Sequence, residues 1–163
     1  MYEVLNHDQI NKKITRMAYE IYEKNLKAKG VVFAGVSGMG EVLANLLADK
    51  LSSISPLLIE KMEVILDKSD IKTTAISLSN EIDFEGKTVI LVDDVLNTGK
   101  TLAYAMHPFL DTKVAKLEIA VLVNRSHGLY PLKPDYTGYE LSTTLNEHIK
   151  VDFAQDQYSV HLL

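Results

Sequence analysis

Two adjacent carboxylates, Asp93 and Asp94, stand where the apolar run Thr88-Val89-Ile90-Leu91-Val92 should end. Val95, Leu96 and Asn97 follow, then Thr98-Gly99-Lys100-Thr101, and Leu102, Ala103, Ala105 and Met106 open a helical pattern. The apolar run has no polar alternation, as a strand buried on both faces of a parallel sheet requires. A paired carboxylate at a strand end can hold hydroxyl groups or a hydrated Mg²⁺. The polar loop offers different chemistry: backbone N–H groups from Val95 to Thr101, hydroxyls on Thr98 and Thr101, and the Lys100 cation all suit a phosphate. Gly99 would let that backbone come close to the anion. Strand, acidic pair, polar loop and helix therefore read as a site for a phosphorylated, hydroxyl-bearing ligand.

Two other readings compete. Gly99-Lys100-Thr101 resembles the end of a P-loop, but the glycine required five residues earlier is Asp94, whose charge would repel the phosphates. Gly35, Gly38 and Gly40 resemble a dinucleotide-binding cluster, with Glu60 as its ribose-binding acid, yet their spacing is not G-x-G-x-x-G. The same loop, Ser37-Gly38-Met39-Gly40, lies between the apolar run Val31–Val36 and the helical pattern Val42, Leu43, Leu46, Leu47 and Leu51. It forms a second strand–glycine loop–helix unit and a second anion nest.

These units need positioning elements. Asn6 with Gln9 can form a capping box for a helix running to Asn25, with Ile10, Ile14, Met17 and Ile21 on one face. Leu57 to Leu66 reads as a strand after Pro56, and Asp67 to Asn80 loses periodicity, as a functional or mobile loop does. A helix from Thr101 to about Leu110 and a strand from Ala115 to Val123 come next, with Asn124-Arg125-Ser126-His127 at the strand's carboxyl end. The loops 37–40, 93–101 and 124–127 would then share one crevice. Within it His127 is read as a candidate acid or base or, more simply, as a solvated loop histidine. Lys133 to Glu140 forms a turn and a short strand, and the rest alternates as a hairpin that would cap the crevice.

Composition narrows the classes. The 163 residues suit a single domain, and 47% hydrophobic with 24% charged content is ordinary for a globular chain. With no cysteine there is no thiolate nucleophile, thiolate metal site or disulfide frame, which fits a reducing compartment. No segment is long and apolar enough to span a membrane. A net charge of −5, from 17 basic and 22 acidic residues, gives no global attraction to nucleic acid.

Val89 to Thr101 resembles the 5-phosphoribosyl 1-pyrophosphate (PRPP) motif of the type I phosphoribosyltransferases. Further similarity, in Thr15-Arg16-Met17-Ala18-Tyr19-Glu20-Ile21, Glu85 to Thr101, Ala120 to His127 and Leu132 to Gly138, is closest to the bifunctional pyrimidine operon attenuator/uracil phosphoribosyltransferase family. The resemblance implies an α/β, Rossmann-like fold with a central, mostly parallel sheet flanked by helices. One domain would cover 1–163, with a core to about 140 and a small C-terminal cap from about 141. It implies transfer of ribose 5-phosphate from PRPP to a nucleobase with release of pyrophosphate, using Mg²⁺. Asp93, Asp94, Asn97 and Lys68 would be catalytic, Asp93 and Asp94 also meeting Mg²⁺ directly or through water. Val95, Leu96, Asn97, Thr98, Gly99, Lys100 and Thr101 would take the 5-phosphate; Ser37, Gly38, Met39 and Gly40 the pyrophosphate; Asn124 and Arg125 the base. A cytoplasmic homo-oligomer binding PRPP, a nucleobase or a nucleoside monophosphate, and not RNA, is the expected setting.

Several positions depart from that family. The pyrophosphate loop carries no arginine, the Tyr-Arg pair of the flexible loop is Asp67-Lys68, the tyrosine before Thr98 is Asn97, and cap arginines near Leu145 and His148 are absent. Each change removes positive charge or alters base contacts. A catalytically weak protein that senses PRPP or a nucleotide and acts on RNA or a partner is therefore the alternative expectation.

Overall fold

The buried apolar runs form the middle of a six-stranded sheet in a computed structural model describing residues 1–163. In chain order the elements are β1 (Tyr2–Leu5), α1 (His7–Lys24), β2 (Val31–Val36), α2 (Met39–Ile54), β3 (Ile59–Ile65) and β4 (Ser77–Leu78). They continue with β5 (Thr88–Leu96), α3 (Lys100–Ala105), β6 (Lys116–Asn124), β7 (Tyr136–Glu140), β8 (Ile149–Asp152) and β9 (Ser159–Leu162). The large sheet has the order β4-β3-β2-β5-β6-β7 and is parallel except for β4, which pairs antiparallel with β3.

Alternate residues of the central strands feed two cores. Val31, Phe33, Ile90 and Val92 pack with α1 and α2 on one face. Val32, Ala34, Val89 and Leu91 pack with Leu102, Ala105, Phe84 and Phe109 on the other. Each fully buried Val, Leu or Phe contributes roughly 1.5–3 kcal/mol relative to exposure, so the two cores dominate the fold. The capping box at α1 is present: Asn6 Oδ1 accepts from the Gln9 amide at 2.9 Å, and Gln9 Oε1 accepts from the Asn6 amide at 2.9 Å.

The chain enters the sheet at β2 and winds outward to β3, then returns at β5 and winds the other way to β6 and β7. The strand order thus reverses between β2 and β5, and the carboxyl ends of these two strands leave a crevice. Glu60, the rival ribose acid, lies near the start of β3, at the other end of the strands, and accepts from Lys87 Nζ at 2.7 Å.

Some boundaries differ from the sequence expectation. β5 runs on to Leu96, because its ladder with β6 continues through Asp93–Val121, Val95–Val123 and Leu96–Asn124; the acidic pair is inside the strand. α2 already begins at Met39, so Met39 and Gly40 belong to its first turn and not to a loop. α3 stops at Ala105 and gives way to a 3-10 turn over His107–Phe109, because Pro108 cannot extend the helix. The irregular stretch after β3 contains a 3-10 turn, Thr73–Ala75, and the short β4. The C-terminal hairpin of β8 and β9 is joined by β1, which pairs antiparallel with β9 to make a separate three-stranded sheet. That partnership is invisible locally, since β1 is four residues with no strand neighbour in sequence.

Gly35 lets α2 lie close against the sheet: a Cβ there would sit 2.5 Å from the Glu41 Cα and 2.9 Å from the Ala44 Cβ. Backbone cannot yield as a flexible side chain does, so Gly35→Ala should destabilise the protein by about 1–3 kcal/mol. Urea unfolding followed by circular dichroism measures this; an unchanged midpoint would mean that α2 can slide away from β2.

Candidate functional site

The end of β5 and the start of α2 build the floor of the crevice. A Cβ on Gly40 would lie 2.8 Å from the Val92 carbonyl oxygen and 2.9 Å from Asp93 Oδ1, so only glycine allows the helix to rest against the acidic strand. This contact brings the glycine loop and the acidic pair together. Ser37 does not present its hydroxyl freely, for Oγ donates to Glu63 Oε2 at 2.9 Å.

Asp93 is nearly sealed from water, its side chain 3% exposed, whereas that of Asp94 is 18% exposed. Asp93 Oδ1 accepts from the Asp94 amide at 2.9 Å, and Lys68 Nζ lies 3.0 and 3.1 Å from its two carboxylate oxygens. The same ammonium is 3.9 Å from Asp94 Oδ1. Lys68 comes from the irregular segment after β3, so that segment reaches over the crevice and supplies the counter-charge. Burial above all, with the Asp94 charge second, pushes the Asp93 carboxyl up to about 7, against the opposing pull of Lys68.

The phosphate loop is fixed from outside. The Thr98 carbonyl accepts from the Leu129 amide at 2.8 Å and the Tyr130 amide at 3.2 Å, while Thr98 Oγ1 accepts from the Lys100 amide at 3.2 Å. Gly99 adopts the left-handed conformation, φ 91°, and its α-carbon faces Leu132 and Tyr130, about where a Cβ would meet their side chains at 3.4 Å. Its glycine identity therefore serves the left-handed turn of the loop, and the neighbouring side chains of Tyr130 and Leu132 lie at ordinary contact distance, a proximity that the sequence did not reveal. α3 is short, so the unpaired loop amides rather than a helix dipole are what an anion would meet. Asp93, Asp94, Lys68 and Val95 to Thr101 line one cleft of about 170 Å³, closed on the cap side by Ile149 of β8.

Asn124 ends β6 and borders an adjoining cleft with Asn97, Thr98 and Gly99. Arg125 points elsewhere: it is buried and donates to Asn97 Oδ1 and to the segment Thr143–Glu147. His127, read as a solvated or catalytic histidine, donates from Nε2 to the Thr143 carbonyl at 2.7 Å, since a carbonyl can only accept. Thr143, Thr144 and Glu147 were not legible as partners of the strand ends; only the tertiary fold brings them there.

In the metal-free protein the raised Asp93 pKa makes stability depend on pH. The folded state holds this proton more tightly than the unfolded chain, whose ordinary value is near 3.8, so stability falls as pH rises from there to about 7 and is level above. Asp93→Asn keeps an acceptor for the Asp94 amide and removes the cost of the buried charge. Its melting temperature, measured with chelator present, should exceed that of the native protein by about 5 °C at alkaline pH, with the gap closing toward pH 4. A gap that widens on acidification would overturn this account of the carboxylate.

Comparison with known proteins identifies the family and the fold. The phosphoribosyl transferase domain family matches residues 2–157. Among curated relatives, the bifunctional protein PyrR of Microcystis aeruginosa is 35% identical over 156 residues, covering 91% of this chain and 88% of its own length. PyrR of Haemophilus ducreyi is 30% identical, with coverages of 91% and 87%. Among solved structures, the hypoxanthine phosphoribosyltransferase of Trypanosoma cruzi superposes with a TM-score of 0.80 at 16% identity, covering 98% of this chain and 95% of that one. A hypoxanthine-guanine phosphoribosyltransferase of Bacillus anthracis gives 0.76 at 17% identity, with coverages of 98% and 96%. With its mostly parallel sheet, its reversal of strand order at the crevice and its acidic pair beside Thr98-Gly99-Lys100-Thr101, the chain belongs to the phosphoribosyltransferase family and has the type I fold.

Proposed function

We propose that this protein transfers ribose 5-phosphate from PRPP to a nucleobase, releasing pyrophosphate. The observation that carries the reading is one cleft bounded by the buried Asp93 with its neighbour Asp94, the Lys68 cation from another segment, and a loop whose Asn97, Thr98 and Gly99 amides donate to no backbone carbonyl. In this reading Val95 to Thr101 bind the 5-phosphate through N–H groups, the Thr98 and Thr101 hydroxyls and Lys100. Asp93 and Asp94 hold the ribose hydroxyls. Gly38, Met39 and Gly40, beside Asp93, receive the pyrophosphate with Ser37 shaping the turn. Asn97 and Asn124 border the base, and Arg125 supports that wall from behind.

The acidic pair also fits Mg²⁺. Two carboxylates without a third acidic or histidine partner suit an ion that keeps most of its waters and takes its other ligands from substrate oxygens. When bound, the ion would supply positive charge to the departing pyrophosphate. The side chains do the rest: Asp93 and Asp94 orient the sugar, the loop fixes its phosphate, and Lys68 brings a second cation to the same end of the cleft. Most of the acceleration then comes from positioning and from charge placed where it develops.

The protein is read as acting in the cytoplasm, as a homo-oligomer, and without RNA. Arg16 is already spent on Glu20 and on the Thr137 and Gly138 carbonyls, and Lys13 lies over the Tyr139 ring. Lys12, Lys13 and Lys24 have no acidic partner, but three such cations on a chain of net charge −5 are a small footprint for neutralising a phosphate backbone.

Two measurements test these statements. Asp94→Asn should weaken Mg²⁺-dependent PRPP binding by about tenfold or more by calorimetry, with a melting temperature within about 2 °C of the native value; unchanged affinity in the folded variant would remove the acidic pair from the site. In a mobility-shift series with pyrimidine-operon leader RNA, no complex that discriminates against a scrambled control should survive near 0.15 M salt. Tight, discriminating binding would favour a regulatory protein instead.

A further inference from the structure

Glu63 stands near the carboxyl end of β3, beside the glycine loop, and takes part in none of the ion pairs of the molecule. In the ladder it pairs with Gly35, the residue that lets the first turn of α2 approach the sheet. Its backbone is held on the far side as well, where the Glu63 amide donates to Ser79 Oγ at 2.8 Å and its carbonyl accepts from the Ser79 amide at 3.0 Å. The side chain is half-buried, and Oε2 accepts from Ser37 Oγ at 2.9 Å.

This contact sets the polarity of Ser37. A hydroxyl has one proton to donate. Ser37 Oγ lies within donating reach of Glu63 Oε2 and of the Val64 carbonyl, 3.1 Å away, and the Ser37 amide donates to that same carbonyl at 3.1 Å. Both donors of Ser37 are thus engaged inside the protein, and its oxygen has only a lone pair left for a ligand. Met39 and Gly40 offer amides at the start of α2 but no charge, and Glu41 in the same turn is acidic. Lys68, the cation at this end of the cleft, is held by Asp93 and Asp94. An anion entering the glycine loop therefore meets backbone amides, an unpaired carboxylate and a serine that can only accept.

We propose that Glu63 is a specificity-determining residue of the pyrophosphate subsite: its charge, with Ser37 turned into an acceptor, makes the glycine loop reject free pyrophosphate and take it only together with a divalent cation. The inference rests on the phosphoribosyltransferase reading above and adds to it a residue from another strand. One unpaired charge beside the loop is enough to change the affinity for a multiply charged anion severalfold, even at the effective dielectric constant of a protein surface. A hydrated cation removes the conflict. It neutralises the pyrophosphate, and its waters are donors of the kind that Ser37 Oγ and a carboxylate accept. Ribose 5-phosphate, whose phosphate belongs to the loop Val95–Thr101 in this reading, does not need the glycine loop and serves as the control.

Calorimetric titrations of pyrophosphate and of ribose 5-phosphate, each with Mg²⁺ and with chelator, test this on the native protein, Glu63→Gln and Ser37→Ala. The native protein should hold pyrophosphate at least about tenfold more tightly with Mg²⁺ than with chelator. Glu63→Gln keeps the size of the side chain and an acceptor for Ser37 but removes the charge. It should bind metal-free pyrophosphate about fivefold or more tightly than the native protein, with ribose 5-phosphate within about twofold. Ser37→Ala breaks the same hydrogen bond and leaves the charge in place, so it should hold metal-free pyrophosphate no more tightly than the native protein. A Glu63→Gln protein that gains nothing for metal-free pyrophosphate would overturn the inference. So would an equal gain in Ser37→Ala, which would make the hydrogen bond and not the charge responsible. An equal change for ribose 5-phosphate, or a native protein that binds pyrophosphate no better with Mg²⁺, would do the same. A native protein that fails to bind ribose 5-phosphate would instead defeat the phosphoribosyltransferase reading, and this inference with it.

Discussion

A carboxylate taken out of water needs a partner, and Asp93 is such a carboxylate. It is walled in by the first turn of α2 on one side and by the neighbouring strands on the others, with Gly40 leaving room for the contact. The interaction that answers this burial is the ion pair with Lys68, which the segment after β3 carries in from above. Half of the pair is rigid, at the end of a central strand; the other half is on an irregular segment and remains substantially exposed. The proton, Lys68 and any incoming cation therefore compete for one site. Whatever displaces Lys68 must itself bring positive charge, or Asp93 takes up a proton.

The fold makes this conflict useful by placing it where the strand order reverses. Parallel strands with crossover helices on opposite faces leave an opening only at such a reversal, so the loops after β2 and β5 meet there. The cap closes the opening from the far side, through Ile149 at the cleft wall and through Arg125, whose guanidinium fastens the cap segment to the phosphate loop. Gly99 and Gly40 do related work at opposite sides of the cleft. The first permits a left-handed turn beneath Tyr130 and Leu132, the second lets helix and strand backbones touch.

A second buried polar cluster lies at the other end of the strands and has a structural character. Thr88 Oγ1 donates to Asn25 Oδ1 at 2.8 Å, and the Tyr136 hydroxyl donates to Glu118 Oε1 at 2.8 Å. Burial, reinforced by Glu118, raises the Tyr136 pKa, which keeps the phenol a donor. Its groups are mutually satisfied and enclosed among α1, β5, β6 and β7, in contrast with the crevice, where the loop amides and the Asn97 NH₂ face outward.

The sequence alone determined the central strands, because Val31–Val36 and Thr88–Val92 are short apolar runs without alternation, rich in β-branched residues and bounded by polar or glycine-bearing loops, as strands covered on both faces are. It determined the first helix down to its cap, since Asn6 and Gln9 interact only with near neighbours. It also brought out the acidic pair and the Thr98–Thr101 loop, whose residue types and spacing are local. What the tertiary structure decided was everything that depends on residues far apart in the chain. β1 became a strand only because β9 was there to pair with it. Asp93 became buried, and its pKa rose, because Gly40 lets α2 press against β5 and Asp94 adds its charge, with Lys68 folding over it as a partial counterweight. Arg125, expected at the base, was drawn instead to Asn97, Thr143, Thr144 and Glu147, because a buried guanidinium must satisfy its donors wherever acceptors converge.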